Sequence, residues 1–246
     1  MNSSDTSREL DYHVYAGELF DLTNRENTAY WEIGDTLAHW AKSLELGATP
    51  NILDLGAGTG NFTLRLFREY PTARYTHLDM SPEMNAVARG KYAEAGLHEV
   101  QFIESMMQSA PFENESFDFV VCINALNTAP PQGATLQAIE SWLRPGGTLF
   151  LVDFGREMKI LSWASYLIGS NIRKHGIRYT ASWFRDCYES LRQNRKARKD
   201  QKKGAMWLHS TEELAELVSQ SGLNVLHHSP CYRDYSDLVV AQKPSP

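Results

Sequence analysis

The 246-residue chain is 42% apolar and 22% charged, ordinary values for a globular protein that exclude fibrous and disordered classes. Its 24 basic and 30 acidic residues give a formal charge of −6, which argues against a nucleic-acid footprint over the whole surface. Three widely spaced cysteines, Cys122, Cys187 and Cys231, with no C-x-x-C pair, exclude a disulfide framework and disfavour a cysteine-based zinc site.

The chain begins MNSSDTSREL, polar and without the basic-then-apolar order of a signal peptide. No apolar run reaches the ~20 residues of a membrane span. The nearest, Ile160–Ile172, is interrupted by Ser162, Ser165, Gly169 and Ser170. The expected location is the cytoplasm. The first 45 residues read as two helices carrying Tyr12, Tyr15, Phe20, Tyr30, Trp31 and Trp40. Strands are then expected at Asn51–Leu55, Arg74–Leu78, Val100–Ile103, Phe117–Ile123 and Thr148–Phe154. Helices at about 61–70, 82–95 and 132–143 separate them. Ser81 before Pro82 is an N-cap with proline at the first helical position. This alternation predicts an α/β fold: a doubly wound, mostly parallel sheet with helices on both faces.

After Phe154 the pattern turns helical and aromatic and ends in the basic run 192–203, which holds seven bases and one acid. Ser210–Glu213 reads as a capping box for a helix with Leu214, Leu217 and Val218 inward. Two strands, about 223–228 and 237–242, close the chain. The expected organisation is one domain over residues 1–246. Its α/β core comprises 48–154 and 210–243. A helical N-terminal cover (1–47) and a helical substrate-side insert (155–209) flank that core.

The sharpest motif is Asn51-Ile-Leu-Asp-Leu-Gly-Ala-Gly-Thr-Gly60, a strand running into a G-x-G-x-G turn and a helix. Glycines permit positive φ and close approach of a ligand to the main chain. The helix N-terminus that follows favours a negative group. The dinucleotide fingerprint G-x-G-x-x-G fails here, because Asn61 stands at its last position. Asp54, two residues before the first glycine, repels a pyrophosphate and attracts an ammonium. Asp79 ends the next strand, where a carboxylate accepts ribose hydroxyls in doubly wound sheets.

With these residues the chain resembles the class I S-adenosylmethionine-dependent methyltransferases. The matching pieces are ILDLGAGTGNF (52–62), LDMSPEM (78–84), 102–126 and WLRPGGTLFLVDF (142–154). The resemblance implies a Rossmann-like, seven-stranded sheet in the order 3-2-1-4-5-7-6, its last strand antiparallel, and S-adenosyl-L-methionine as cofactor. It implies that Asp54 and the backbone of Gly56, Ala57 and Gly58 hold the methionine end. Asp79 then holds the ribose, Met80 packs on adenine, and Asn124 lines the methyl-donor pocket. Family members often carry an aspartate for the adenine amino group where this chain has Met106, so that contact is expected to be apolar plus the backbone of Met107. An aromatic N-terminal helix often closes the site, which singles out Tyr15 and Tyr12; a ring face favours a sulfonium.

The expected reaction is methyl transfer to an oxygen or nitrogen of a small apolar or aromatic metabolite. The alternatives are a protein or carrier-bound acceptor, or a non-catalytic cofactor-binding protein of the same fold. A hydroxyl acceptor wants a base, and His13 and His175, in the two covering segments, are the candidates. Trp163, Tyr166 and Tyr179 of the insert are candidates to shape the acceptor pocket. His77 reads as core or solvated, and His209 as a residue leading into the capping-box helix. The run 192–203 reads as a solvated helix end or as an attractor of acidic partners, with nucleic acid unlikely. No metal-ligand spacing stands out, and the oligomeric state is not legible.

Overall fold

The strands form where apolar residues run without interruption, and in a computed structural model of the chain their bounds follow those runs. The structure describes residues 17–187 and 207–245. Tyr12, His13, Tyr15 and the basic run 192–203 therefore lie outside the described residues.

In chain order the elements are α1 (Glu18–Asn24), α2 (Thr28–Ser43), β1 (Asn51–Leu55), α3 (Asn61–Phe67), β2 (Arg74–Leu78), α4 (Pro82–Glu94) and β3 (Val100–Ile103). They continue with β4 (Phe117–Ile123), α5 (Gln132–Trp142), β5 (Leu143–Phe154), α6 (Ile160–His175), α7 (Ile177–Asp186), α8 (Thr211–Gln220), β6 (Asn224–Cys231) and β7 (Ser236–Gln242). Short 3-10 turns, Met107–Ser109 and Leu126–Thr128, follow β3 and β4. The predicted caps form. Ser81 Oγ accepts from the Met84 N–H ahead of Pro82, and Ser210 with Glu213 makes both bonds of a capping box. β5 starts five residues earlier than the apolar run suggests, because Leu143 pairs with Phe117 across a register shift.

The sheet order is β3-β2-β1-β4-β5-β7-β6, as the resemblance implied. Only β7 runs antiparallel to its neighbours. Alternate residues of each strand feed two cores. Leu53, Leu55, Val120, Cys122, Leu149 and Leu151 pack under α5 and α8. Ile52, Phe119, Val121, Phe150 and Val152 pack under α2, α3 and α4. A third cluster joins the insert to the N-terminal helices, with Trp163, Leu167 and Trp183 against Ala29 and Leu22. The parallel strands all end on one edge of the sheet, where doubly wound folds place their ligands. Among the described residues no helix is long and apolar enough to cross a membrane.

Candidate cofactor site

The glycine loop follows β1 at that edge. Gly56, Gly58 and Gly60 have φ of +74°, +56° and +76°, a region L side chains seldom enter. Two of the three are also filled by the chain itself. A Cβ at Gly56 would collide with Ala125, and one at Gly60 with the ring of Tyr92. Gly58 is different: among the described residues no atom lies within 4 Å of a Cβ built there. The chain leaves space above that peptide.

Asp79, at the end of β2, accepts from the Gly58 N–H at 2.8 Å and from the Ser81 N–H at 2.9 Å. Burial pushes its carboxyl above the ordinary range, and the backbone donors oppose that rise. Met80 and Met106, directly after β2 and β3, are 48% and 52% exposed. Exposed methionines offer apolar faces for a flat ring. Met107 lies below them with its side chain in the core, so only its backbone is available to a ligand.

Asp54 is 3% exposed, and its Oδ2 accepts from Thr63 Oγ1 at 2.6 Å. Burial raises its carboxyl to about 6. The Thr63 hydroxyl opposes that rise and the neighbouring Asp79 adds to it. Asn124 ends β4 with φ +54°, a conformation asparagine tolerates better than most residues, and its Oδ1 accepts from Ser236 Oγ at 3.1 Å.

Helix α1 is tied to this loop. Asp21 accepts from Thr59 Oγ1 at 2.7 Å and from Asn61 Nδ2 at 2.8 Å, and pairs with Lys91 Nζ at 2.7 Å. Lys91 also donates to Asn61 Oδ1. Nothing in the N-terminal sequence marked Asp21, since a lone acid on an amphipathic helix looks like solvated surface.

The insert residues gather elsewhere. His175 pairs with Glu26 at 2.8 Å, and Tyr179 donates to the same carboxylate at 2.8 Å. The Tyr166 hydroxyl accepts from the Ala29 N–H at 3.2 Å, and Trp163 is buried among Tyr166, Tyr232 and Tyr235. These four thus hold α6 and α7 to the N-terminal helices. His77 is a core histidine. Its ring nitrogens face Tyr92 Oη and Asn85 Oδ1 at 2.8 and 3.0 Å, and burial lowers it to about 4.

A buried polar group at the ends of β5 and β7 went unrecognised in the sequence. Asp153 and Asp237 are register partners, and His209 and Asn127 pack against them. The available signal was an acid inside each of two otherwise apolar strands, TLFLVDF and SDLVVA, where a free charge is rarely buried.

A seven-stranded sheet of this order, with a glycine loop after β1 and an acid after β2, defines the Rossmann-like methyltransferase fold. A family described as "Methyltransferase domain" matches residues 52–147. The demethylmenaquinone methyltransferase of Listeria monocytogenes serotype 4a is 35% identical over 104 residues, 42% of this chain and 44% of that protein. The chain thus spans less than half the length of such relatives. The ubiquinone biosynthesis O-methyltransferase of Xanthomonas euvesicatoria pv. vesicatoria is 34% identical over 168 residues, 63% of this chain and 67% of that protein. Among solved structures, an S-adenosylmethionine-dependent methyltransferase from Aquifex aeolicus aligns with TM-score 0.59 and 15% identity, covering 92% of this chain and 98% of that one. The chain belongs to the class I S-adenosylmethionine-dependent methyltransferases.

Proposed function

We propose that the chain transfers the cofactor's methyl group to an oxygen or nitrogen of a small apolar or aromatic metabolite. The carrying observation is Gly58, left-handed and open beside Asp79, with Met80 and Met106 exposed in the loops after β2 and β3. That cradle suits a nucleoside: the carboxylate for ribose hydroxyls, the methionines and the Met107 backbone for adenine. The peptides of Gly56, Ala57 and Gly58 then take the methionine end. Asp54 supplies negative charge beneath them for the ammonium, and Asn124 lines the methyl side. The cofactor, when bound, brings a methyl electrophile on a sulfonium. The chain's remaining work is to align the acceptor and exclude water, a proximity effect worth up to ~7–11 kcal/mol.

The names of the two curated relatives, one from ubiquinone biosynthesis and one for demethylmenaquinone, support a ring-bearing acceptor. We place that acceptor between the core (48–154 and 210–243) and its two covers (1–47 and 155–209), with Tyr12 and Tyr15 as candidate contacts from the N-terminal segment. The described part of the N-terminal cover already contacts both the glycine loop, through Asp21, and the insert, through Glu26.

Calorimetry tests the cofactor assignment. S-adenosylhomocysteine should bind, and Asp79→Ala should weaken it by about 1.5–3 kcal/mol, the scale of hydrogen bonds to a charged group. Saturable binding of NADH with none of S-adenosylhomocysteine would overturn the reading.

A further inference from the structure

The buried polar group at the ends of β5 and β7 is short of hydrogen-bond donors. Asp237 is well supplied: Arg156 reaches both its oxygens at 2.8 Å, and Thr211 Oγ1 donates as well. Asp153, fully buried, accepts from Asn127 Nδ2 on Oδ1 at 2.8 Å, and its Oδ2 faces His209 Nε2 at 3.8 Å. That bond orients the asparagine, because a carboxylate accepts and the amide nitrogen donates. His209 Nδ1 lies 3.1 Å from the Ser210 carbonyl oxygen and 3.5 Å from Asp237 Oδ2. Both are acceptors, so Nδ1 carries a hydrogen, and in the tautomer with that one ring hydrogen Nε2 is an acceptor. Among the described residues, Asp153 Oδ2, His209 Nε2 and Asn127 Oδ1 have no partner.

Native interiors rarely leave buried polar atoms unpaired, and three around one carboxylate imply a missing donor. His209 Nε2 and Asp153 Oδ2 stand 3.8 Å apart, too far to bond each other and close enough for one oxygen to reach both. Asp153 ends β5 on the edge that carries the glycine loop. The segment after β4 runs from Ala125, against Gly56, to Asn127, against Asp153. Trp207 closes the group by donating its N–H to the Asn127 carbonyl and laying its ring 4.5 Å from His209.

We propose that Asp153, His209 and Asn127 form the receptor for a hydroxyl on the acceptor, with His209 Nε2 taking its proton. The inference rests on the methyltransferase reading and narrows the acceptor to an alcohol or phenol. As the methyl moves, the acceptor's O–H bond breaks and its proton passes to Nε2. The oxygen's electron pair forms the O–CH3 bond, and the electrons of the broken S–CH3 bond return to sulfur. The imidazolium so formed lies between the carboxylates of Asp153 and Asp237. Asp237 and Arg156 are positioning residues, which set the ring through Nδ1.

The test uses the full chain saturated with S-adenosylhomocysteine and labelled with 15N-histidine, titrated with phenol and, in parallel, with anisole, which has no O–H. Phenol should move the His209 Nε2 resonance toward that of a hydrogen-bonded ring nitrogen, and anisole should leave it in place. Asp153→Asn is the second arm, because it puts an N–H donor where the structure lacks one. It should raise Tm by a few degrees, keep S-adenosylhomocysteine binding within about twofold, and abolish the phenol response. A His209 resonance that ignores phenol, or treats both probes alike, overturns the proposal and leaves a buried water as the missing donor. A fall in Tm for Asp153→Asn overturns it too. Failure of the wild-type chain to bind S-adenosylhomocysteine instead overturns the methyltransferase reading beneath it.

Discussion

Asp54 and Asp153 sit at equivalent ends of parallel strands, β1 and β5, and burial raises both carboxyls. Their surroundings differ. Around Asp54 the chain satisfies itself: Thr63 donates to the carboxylate, Tyr92 fills the space at Gly60, and Asp21 pins the loop to α1. Around Asp153, among the described residues, an oxygen, a ring nitrogen and an amide oxygen have no hydrogen-bond partner. The first region is organised before any ligand arrives, as suits a cofactor common to a whole family. The second is where we propose that the acceptor's hydroxyl supplies the missing partner. The same sheet edge thus holds a finished half and an incomplete one.

The comparison breaks most visibly at the glycines. Gly60→Ala should destabilise the protein by about 2–5 kcal/mol, combining overpacking against Tyr92 with a left-handed φ. Gly58→Ala meets no neighbour and should cost about 1–2 kcal/mol in stability, yet weaken S-adenosylhomocysteine at least tenfold. Thermal melts with calorimetry separate the two. Equal effects on stability would mean that Gly58 is not held open for a ligand.

On the other half, Arg156→Ala strips the two guanidinium bonds from a buried Asp237. Breaking a buried pair costs about 3–5 kcal/mol. The partly exposed guanidinium and the remaining Thr211 bond bring the expected loss to about 2–3 kcal/mol, read by denaturant titration.

Asp54 sharpens the contrast through pH. A carboxyl raised to about 6 in the fold, from an ordinary 3.8, binds its proton more tightly when native. Its contribution therefore favours the unliganded fold below about pH 4 and is lost as pH rises through about 6. Recognition of an ammonium needs the charged form. S-adenosylhomocysteine affinity should fall up to tenfold per unit below about pH 6, or about 1.4 kcal/mol. Asp54→Asn should flatten that profile, and a flat wild-type profile would remove Asp54 from ammonium recognition.

The smallest effect is expected at the latch. Asp21→Ala removes a half-exposed pair with Lys91 and two hydroxyl and amide bonds, about 1 kcal/mol in all. Hydrogen exchange should show lost protection in Glu18–Asn24 with the sheet unchanged. Unaltered exchange there would mean that α1 is held by its apolar contacts alone.

Elements whose signals are local were legible in the residues. Apolar runs set β1 to β4, Ser81-Pro82 and Ser210–Glu213 set two helix starts, and 52-ILDLGAGTG-60 marked the left-handed glycine loop. The Rossmann-like sheet order came from the resemblance that these motifs carry. His175, Tyr166, Tyr179 and Trp163 have the chemistry of site residues, and the fold engages them between the insert and the N-terminal helices. Aromatic composition does not say which side of a helix meets which neighbour. His209 looked like an ordinary residue before a cap, and Asp153 like the end of a strand. They lie 56 positions apart, and only the antiparallel pairing of β7 beside β5, with α8 folded across them, brings the ring to the carboxylate. Local backbone chemistry is encoded within a few neighbouring residues and can be read directly. Whether a buried polar atom finds a partner depends on every element that packs around it, and so was decided by the tertiary structure.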